Sequence, residues 1–429
     1  MAITDKEEGV WELDEVYNKI NQGGIWSYAA TDPQQLWMWG FQEQGTFSPN
    51  TPYPAALPNN KSQDHSSPVR IGTSTDWGVP ATHATGPLGS TEPGFAYFGE
   101  QTAMLMVKQD GTMWGVGENK GGTQMRGPQN SARSSPVQLP GSWARISGTK
   151  QCVHGIKTNN TLWGWGLVQY GQLGNNETQG EPHNPSGYSS PIQIPGSWNR
   201  SYKVGSYGGM ATKTDGTLWA WGNNGSGCLG QNVGGENNRR SSPVQIGTES
   251  TWSDAGEVGG NGETLMTKTD GTLWMWGRAN GFNAAPSKRS SPAQIGTDTD
   301  WGTFAGAAAV GGYQHMACIK QDGTLWMWGS NYYGQLGLNE NSNPSNEGRS
   351  SPTQIPGTTW KQVSCGLYGT AATKTDNTLW VWGKNEKGQF GNNEGGPNQY
   401  RSSPTQLPGS WIGCESFDRQ TKAALKAPT

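Results

Sequence analysis

The sequence predicts an all-β fold, a seven-bladed β-propeller of four-stranded antiparallel blades with a short N-terminal helical segment. Three independent tags point to it. Leu/Met-Trp-x-x-Gly recurs at Trp37, Trp114, Trp163, Trp219, Trp274, Trp326 and Trp380. Ser-Ser-Pro recurs with its proline at Pro68, Pro136, Pro191, Pro243, Pro292, Pro352 and Pro404. A lone tryptophan follows each time, at Trp77, Trp143, Trp198, Trp252, Trp301, Trp360 and Trp411. Each tag counts to seven, and from Trp163 onward the period is roughly 50–55 residues, the size of a propeller blade.

Each period parses into strands. Met210 to Gly222 reads as a hairpin in which Asp215-Gly216 supplies the turn, as do Asp110-Gly111, Asp270-Gly271 and Asp322-Gly323; such turns need positive φ. Asn159-Asn160 and Asp376-Asn377 serve equally, because Asn tolerates the left-handed region. At these positions the aspartates are turn residues rather than catalytic carboxylates. A third strand follows Ser-Ser-Pro, with a polar residue between two apolar ones, as in Val69-Arg70-Ile71; that is period-two alternation. A fourth follows the lone tryptophan, as in Trp360 to Cys365. The four strands of one repeat are expected to form one blade. A blade cannot bury both faces alone, so blades stack in a ring. The tryptophan rows are expected to pack between blades rather than to form a sugar-stacking platform.

The two ends predict how the ring closes. A lysine precedes the hairpin turn at Lys108, Lys157, Lys213, Lys268, Lys320 and Lys374, and the seventh copy is Lys426, in Thr421 to Lys426. No Leu-Trp-x-Trp-Gly partner follows it, and Leu36 to Gly40 is the segment lacking a preceding lysine strand. The two are expected to share a blade, which removes the open edges. Tyr28 to Thr31 also fits that strand, so either segment can complete it. The expected domains are residues 1–26, an anchor or plug, and residues 27–429, the propeller. The seven lysines read as a solvated rim or, alternatively, an anion site.

Composition bounds the function. Of 429 residues only 32% are hydrophobic and 15% charged, yet 22 are Trp and 65 are Gly. This suits many short strands and tight turns rather than a helical core. The formal net charge is −3 with no basic run, which argues against nucleic acid as a partner. No apolar stretch reaches the length of a membrane span, and the charged first eight residues lack a signal-peptide core. Cys152, Cys228, Cys318, Cys365 and Cys414 form no Cys-x-x-Cys pair and read as buried strand thiols. His65, His83, His154, His183 and His315 are scattered, without metal-ligand spacing. There is no nucleophile elbow or phosphate loop. No cofactor, metal or catalytic residue is expected.

The segment Met316 to Gly337, with Lys320-Gln-Asp-Gly-Thr-Leu-Trp-Met-Trp-Gly329 and Tyr333-Gly-Gln-Leu-Gly337, resembles the repeat of the regulator of chromosome condensation family. So do Tyr170 to Gly174, Lys387 to Gly391 and Val363 to Gly366, and His315 stands where that family often has a histidine. The resemblance covers about residues 27–426. It implies a seven-bladed propeller with shared-strand closure. It implies little about function, since the family includes a nucleotide-exchange factor, enzyme inhibitors and scaffolds. Without a basic tail or a matching wedge insertion, exchange activity is not carried over. A second resemblance lies outside the repeats. Gly9 to Trp26, with Gly-Val-Trp-x-Leu-x-Glu-x-Tyr followed by Gly-x-Trp, is similar to a motif of structural and fibre proteins of marine tailed phages. Leu13, Val16, Tyr17 and Ile20 fall at helical spacing, and Gly23 stops the helix.

These readings favour a non-enzymatic structural or adhesive protein of a phage particle, a capsid decoration, tail or fibre component made in the host cytoplasm. Its partners would be neighbouring virion proteins or a host-surface receptor. The alternative is a cellular, cytoplasmic protein-interaction module or enzyme inhibitor on the same scaffold. Expected interaction residues are Trp11, Leu13, Val16, Tyr17, Ile20 and Trp26 of the N-terminal segment, and Tyr53, Tyr188 and Tyr400 of the variable connections that lead into Ser-Ser-Pro. Those connections are expected to form one collar, because the repeat places them on one side of the ring.

Overall fold

The computed structural model describes residues 34–40, 65–78, 80, 95–98, 103–119, 122–123, 125, 132–148, 152–178, 187–204, 207–235, 238–253, 257–258, 262–278, 288–302, 309–311, 315–341, 348–396, 398–416 and 421–426. They form 28 strands in seven four-stranded antiparallel sheets. Blades 2 to 7 follow one another as residues 95–139, 143–194, 198–245, 257–294, 309–355 and 360–407. Blade 1 takes two strands from each end. Gln35–Gly40 pairs with His65–Arg70 on one side and with Thr421–Lys426 on the other, in a register running from Gln35 opposite Lys426 to Gly40 opposite Thr421. The expected closure is therefore present; Tyr28 to Thr31 and the expected N-terminal helix lie outside the described residues.

The phase of the blades corrects one expectation. The strand that opens on the lone tryptophan belongs to the blade that follows, not to its own repeat. Trp360–Cys365 pairs with Gly369–Lys374 of the next hairpin, while Arg349–Ile355 closes the previous sheet. Links as short as Pro408 to Ser410 carry the chain from one blade to the next. The opening strands contact one another in succession from blade 2 through blade 7 to Trp411–Ser416, and so line the axis. The Ser-Ser-Pro strands lie at the outer edge, where their residues are mostly half-buried or exposed. Cross-braces tie the inner strands: Gln362 Nε2 donates to Cys414 O at 3.0 Å, and Cys414 N donates back to Gln362 Oε1 at 3.0 Å.

The joint between blades 6 and 7 shows what the invariant residues do. Gly334-Gln-Leu-Gly337 forms a tight turn leaning on blade 7. Gly334 has φ +75°, and a Cβ there would lie 2.6 Å from Ser402 Cα, the first serine of the next Ser-Ser-Pro. Gly337 has φ +70° and leaves room for the Trp382 indole, 2.9 Å from where its Cβ would be. Only glycine tolerates both that conformation and that approach. Trp382, the second tryptophan of its tag, is fully buried and donates Nε1–H to Gln335 O at 2.8 Å. Asn339, at φ +61°, donates its N–H to Ser402 O at 2.7 Å and accepts from Ser403 Oγ at 2.9 Å. The same indole-to-carbonyl bond joins Trp221 to Gln172, Trp276 to Cys228 and, at the closing joint, Trp39 to Gln389. The same Asn–Ser bond joins Asn176 to Ser241, Asn232 to Ser290 and Asn393 to Ser66. Ser-Ser-Pro is thus the receiving half of a seal between blades.

The opposite end of blades 2 to 7 repeats a second device. Asp322 Oδ1 accepts from Thr324 N at 2.9 Å and from Thr324 Oγ1 at 2.7 Å, and Thr324 Oγ1 accepts from Trp326 Nε1 at 2.9 Å. The relay recurs at Asp110, Asn159, Asp215, Asp270 and Asp376. It orients the first tag tryptophan edge-on to the lone one, as in Trp360 and Trp380, whose centroids are 6.3 Å apart at 73°. The threonine hydroxyl, and then the threonine amide, hold Asp215, Asp270, Asp322 and Asp376 below the usual carboxylate range. All five cysteines are buried and free, as the sequence implies; burial pushes the Cys228 thiol up to about 12.

Three outcomes follow. Deleting residues 415–429 strips Gln35–Gly40 of its partner strand, and we expect a lowered Tm; an unchanged Tm would contradict the closure. Trp276, fully buried at the joint of blades 4 and 5, should cost about 3–5 kcal/mol on replacement by Ala in urea denaturation. Trp274→Ala should cost less, since that ring is only partly buried. The four turn carboxylates titrate lower folded than unfolded, so the stability they add is complete above about pH 4 and lost as pH falls through the folded pKa. Replacing all four by Asn, the residue that already stands at position 159, should flatten the acid limb of a Tm-against-pH curve; parallel curves would show that the shift has no linkage.

Candidate interaction face

The ring has two ends of different character. One carries the Asp-Gly turns, the seven lysines and the lone tryptophans. There the lysine ring is neither a freely solvated rim nor an open anion site, because every ammonium lies over two indoles of its own blade. Lys374 Nζ is 4.6 Å from the Trp360 centroid and 4.5 Å from that of Trp380. Lys108, Lys157, Lys213, Lys268, Lys320 and Lys426 are placed alike. Cation–π attraction of this kind strengthens as the pair is desolvated. Lys108, Lys268 and Lys320 also pair with Asp76, Glu249 and Asp298. Lys320, although burial alone lowers its pKa, is raised overall by its bonds to Asp298 and Asp300.

The other end carries the Gly-Gln-Leu-Gly turns and the described stems of the connections into Ser-Ser-Pro, the expected collar. The connections are pinned at their stems. Glu340 pairs with Arg349, and Glu394 with Arg401 at 3.1 Å. In blade 3 a tyrosine takes the arginine's place: the Tyr188 hydroxyl donates to Glu177, which raises the phenol's pKa. Tyr188 thus has a structural bond as well as a half-buried collar position, against Cys152, Val168 and Leu173. Tyr400 is half-buried and lies opposite Lys384 in the strand register of blade 7. Trp11, Leu13, Val16, Tyr17, Ile20, Trp26 and Tyr53 lie outside the described residues.

The structure adds collar residues that the sequence reading did not single out. Tyr170 precedes the Gly-Gln-Leu-Gly turn of blade 3, and its ring meets Tyr207 of blade 4 at 4.7 Å, with the Arg239 guanidinium 4.6 Å from Tyr170. The motif repeats at the joint of blades 6 and 7. Tyr333 meets Tyr368 at 5.0 Å and Tyr332 at 4.7 Å, and Lys384 Nζ lies 4.9 Å from Tyr333 and 5.5 Å from Tyr368. All five tyrosines are half-buried. The only sequence signal was a tyrosine before Gly-Gln-Leu-Gly in one repeat matched by one before the hairpin strand in the next.

Titratable groups inside the blades serve packing. His154 is fully buried, and desolvation lowers its pKa to about 4; its ring stands edge-on to Trp221 of the next blade at 5.2 Å. His315, also fully buried, shares a hydrogen bond with Thr370 Oγ1 of blade 7 at 3.1 Å. Among the described residues no group of three or more His, Cys, Asp or Glu is placed to hold a metal ion, and no helix is long and apolar enough to cross a membrane.

Comparison with known proteins agrees with this geometry. The profile described as the regulator of chromosome condensation (RCC1) repeat matches residues 215–255 and 322–373, and a second RCC1 repeat profile matches 308–335 and 360–389. The chain is 29% identical over 253 residues to the RCC1 domain-containing protein RUG3, mitochondrial, of Arabidopsis thaliana, covering 55% of this chain and 53% of that protein. It is 26% identical to the ultraviolet-B receptor UVR8 of the same plant, covering 57% and 53%. The chain thus spans about half the length of these relatives. Human WBSCR16 superposes with a TM-score of 0.70 at 19% identity, covering 92% of this chain and 98% of that one. Prp20p of Saccharomyces cerevisiae, described with its binding to Gsp1p and histones, gives 0.70 at 16% identity, covering 93% and 92%. The chain is a seven-bladed β-propeller with two stretches, residues 215–255 and 308–389, that match models of the regulator of chromosome condensation (RCC1) repeat.

Proposed function

We propose that this propeller is a non-enzymatic protein-interaction module that meets its partner through the collar. One observation carries the reading: the half-buried tyrosine pairs with their cations, Tyr170–Tyr207–Arg239 and Tyr332–Tyr333–Tyr368–Lys384. The invariant tryptophans, glycines, serines and lysines are engaged in joints and turns. These tyrosines depart from the repeat at two joints, on the same end as the variable connections. Tyrosine and arginine on a rigid platform are the side chains that dominate protein interfaces, because they bury large area at low entropy cost. Relatives support the class of function. UVR8 is named a receptor, and the Prp20p structure is described with its binding to Gsp1p and histones. The proteins named above come from plant, human and yeast cells, which favours the interaction module over the phage-particle reading; a virion or host-receptor partner has no support among them.

The test is affinity capture with crosslinking, comparing the parent with Tyr333→Ala/Tyr368→Ala and with the turn-face variant Lys213→Ala. We expect a defined partner to be retained by the parent and by Lys213→Ala, and lost by the tyrosine variant while it still unfolds cooperatively above the assay temperature. Equal capture by all three proteins contradicts the collar.

A further inference from the structure

Five of the seven Ser-Ser-Pro tags are preceded by an arginine, at Arg133, Arg240, Arg289, Arg349 and Arg401. In blades 6 and 7 the chain neutralises it: Glu340 pairs with Arg349, and Glu394 with Arg401. In blade 3, where Tyr188 stands in the arginine's place, Glu177 accepts from its hydroxyl. Each of these glutamates directly follows the asparagine that seals the joint, Asn339, Asn393 or Asn176. Blade 4 breaks the pattern, because Val233 follows its sealing Asn232. Among the described residues Val233 is the large hydrophobic side chain left exposed, at 41%. Arg240 is left without that carboxylate, and among the described residues its guanidinium bonds to the Arg239 carbonyl alone, at 3.4 Å.

Val233 sits among cations from two blades. It holds the place from which Glu340 and Glu394 reach the arginines of their own blades, which in blade 4 is Arg240. Asn232, just before it, donates its N–H to Ser290 O at 2.7 Å, next to Arg289 of blade 5. Lys288 and Arg289 are both exposed, and Lys288 Nζ donates to Gly225 O of blade 4 at 3.3 Å. Arg239, also exposed, leads on to Tyr170, 4.6 Å away. The chain's own connections do not neutralise this rim. Over their whole length, residues 223–240 and 278–289 carry five cations and one carboxylate, Glu236. Residues 278–289 contain no Asp or Glu at all, so Arg289 has no counterpart of Glu340 in its own connection. The corresponding stretch of blade 6, residues 330–349, carries two carboxylates and one cation.

We propose that this rim, Val233 with Arg240 and Arg289 beside it, docks a segment of a partner protein in which an acidic residue stands next to an aliphatic one. The carboxylate meets Arg240 or Arg289 as the chain's own glutamates meet Arg349 and Arg401, and the aliphatic side chain covers Val233. Arginine suits this task because its fork of N–H donors meets both carboxylate oxygens. The exposed apolar side chain among the cations favours a peptide over a nucleic acid, whose phosphates would leave Val233 uncovered. The proposal rests on the collar reading and names one partner chemistry for it. It does not use Tyr332, Tyr333 or Tyr368, so the two tests can fail separately.

The test begins with a library of random peptides selected for binding to the full chain at low salt, where surface charges are least screened. The selected peptides should be enriched in Asp or Glu next to Leu, Ile or Val. Titrated by calorimetry, a selected peptide should bind Val233→Glu at least about tenfold more weakly than the parent, a difference of about 1.4 kcal/mol. That variant gives Arg240 the carboxylate that blades 3, 6 and 7 already carry at this place, so it should fold like the parent. Arg289→Ala should also weaken binding, whereas Tyr333→Ala/Tyr368→Ala should not. Carbodiimide crosslinking, which joins amines to carboxylates in direct contact, should link Lys288 to the peptide. Selected peptides without acidic enrichment, or equal binding to the parent and Val233→Glu, overturn the proposal. So does an oligothymidylate that binds the parent more tightly than the peptides and is lost in Val233→Glu. A crosslink from Lys288 to a carboxylate within residues 5–15 of the same chain also overturns it, since the occupant is then the chain's own acidic N-terminal segment.

Discussion

The joints of blades 3 and 4, 4 and 5, 6 and 7, and 7 and 1 rest on the close approach of a glycine turn in one blade to a tryptophan and a serine in the next. A propeller blade is a small sheet with two apolar faces and cannot stand alone. Neighbours must fill the wedge between splayed sheets and leave no buried polar group unpaired. The buried indole does the first, and its N–H reaching a turn carbonyl does the second. Gly334 and Gly337 let the backbone approach that close. The closing joint uses the same parts, with Gly388 on Ser66 and Gly391 on Trp39.

That economy of parts explains what was legible in the sequence. The hairpins, the Asp-Gly turns and the pairing of Leu36 to Gly40 with Thr421 to Lys426 follow from spacing and turn chemistry within one repeat. What was not legible depends on a partner one repeat away. Ser-Ser-Pro marked a strand, but its role as acceptor for Asn339 or Asn393 exists only once blades stack. The phase of the blades was misread for the same reason: the strand after the lone tryptophan is contiguous with its own repeat yet pairs with the next hairpin. The lysines looked like a charged rim because sequence shows charge and not the indoles beneath it. His154 looked scattered, although its ring stands against Trp221, 67 positions along.

The proposed interaction surface lies where the symmetry breaks. Residues that repeat seven times are accounted for by folding. The departures are the tyrosine pairs at two collar joints, the stem exchange of Tyr188 for an arginine, and Val233 where blades 3, 6 and 7 carry a glutamate. A rigid ring tolerates such departures because each joint interacts only with its neighbours. The expected site residues of the first 26 positions, and Tyr53, lie outside the described residues, so the collar part of that expectation is the part with a geometry.

The central claim is that joint glycines are needed for approach and not merely for turn conformation. Gly334 and Gly296 separate the two. Both adopt positive φ, +75° and +64°, but a Cβ on Gly334 would meet Ser402 Cα at 2.6 Å, whereas nothing lies within 4 Å of one on Gly296. Urea denaturation of Gly334→Ala and Gly296→Ala measures the difference. Gly296→Ala should lose about 1–2 kcal/mol for the left-handed backbone, and Gly334→Ala about 1–3 kcal/mol more for the overlap. Equal losses in the two variants would contradict the account.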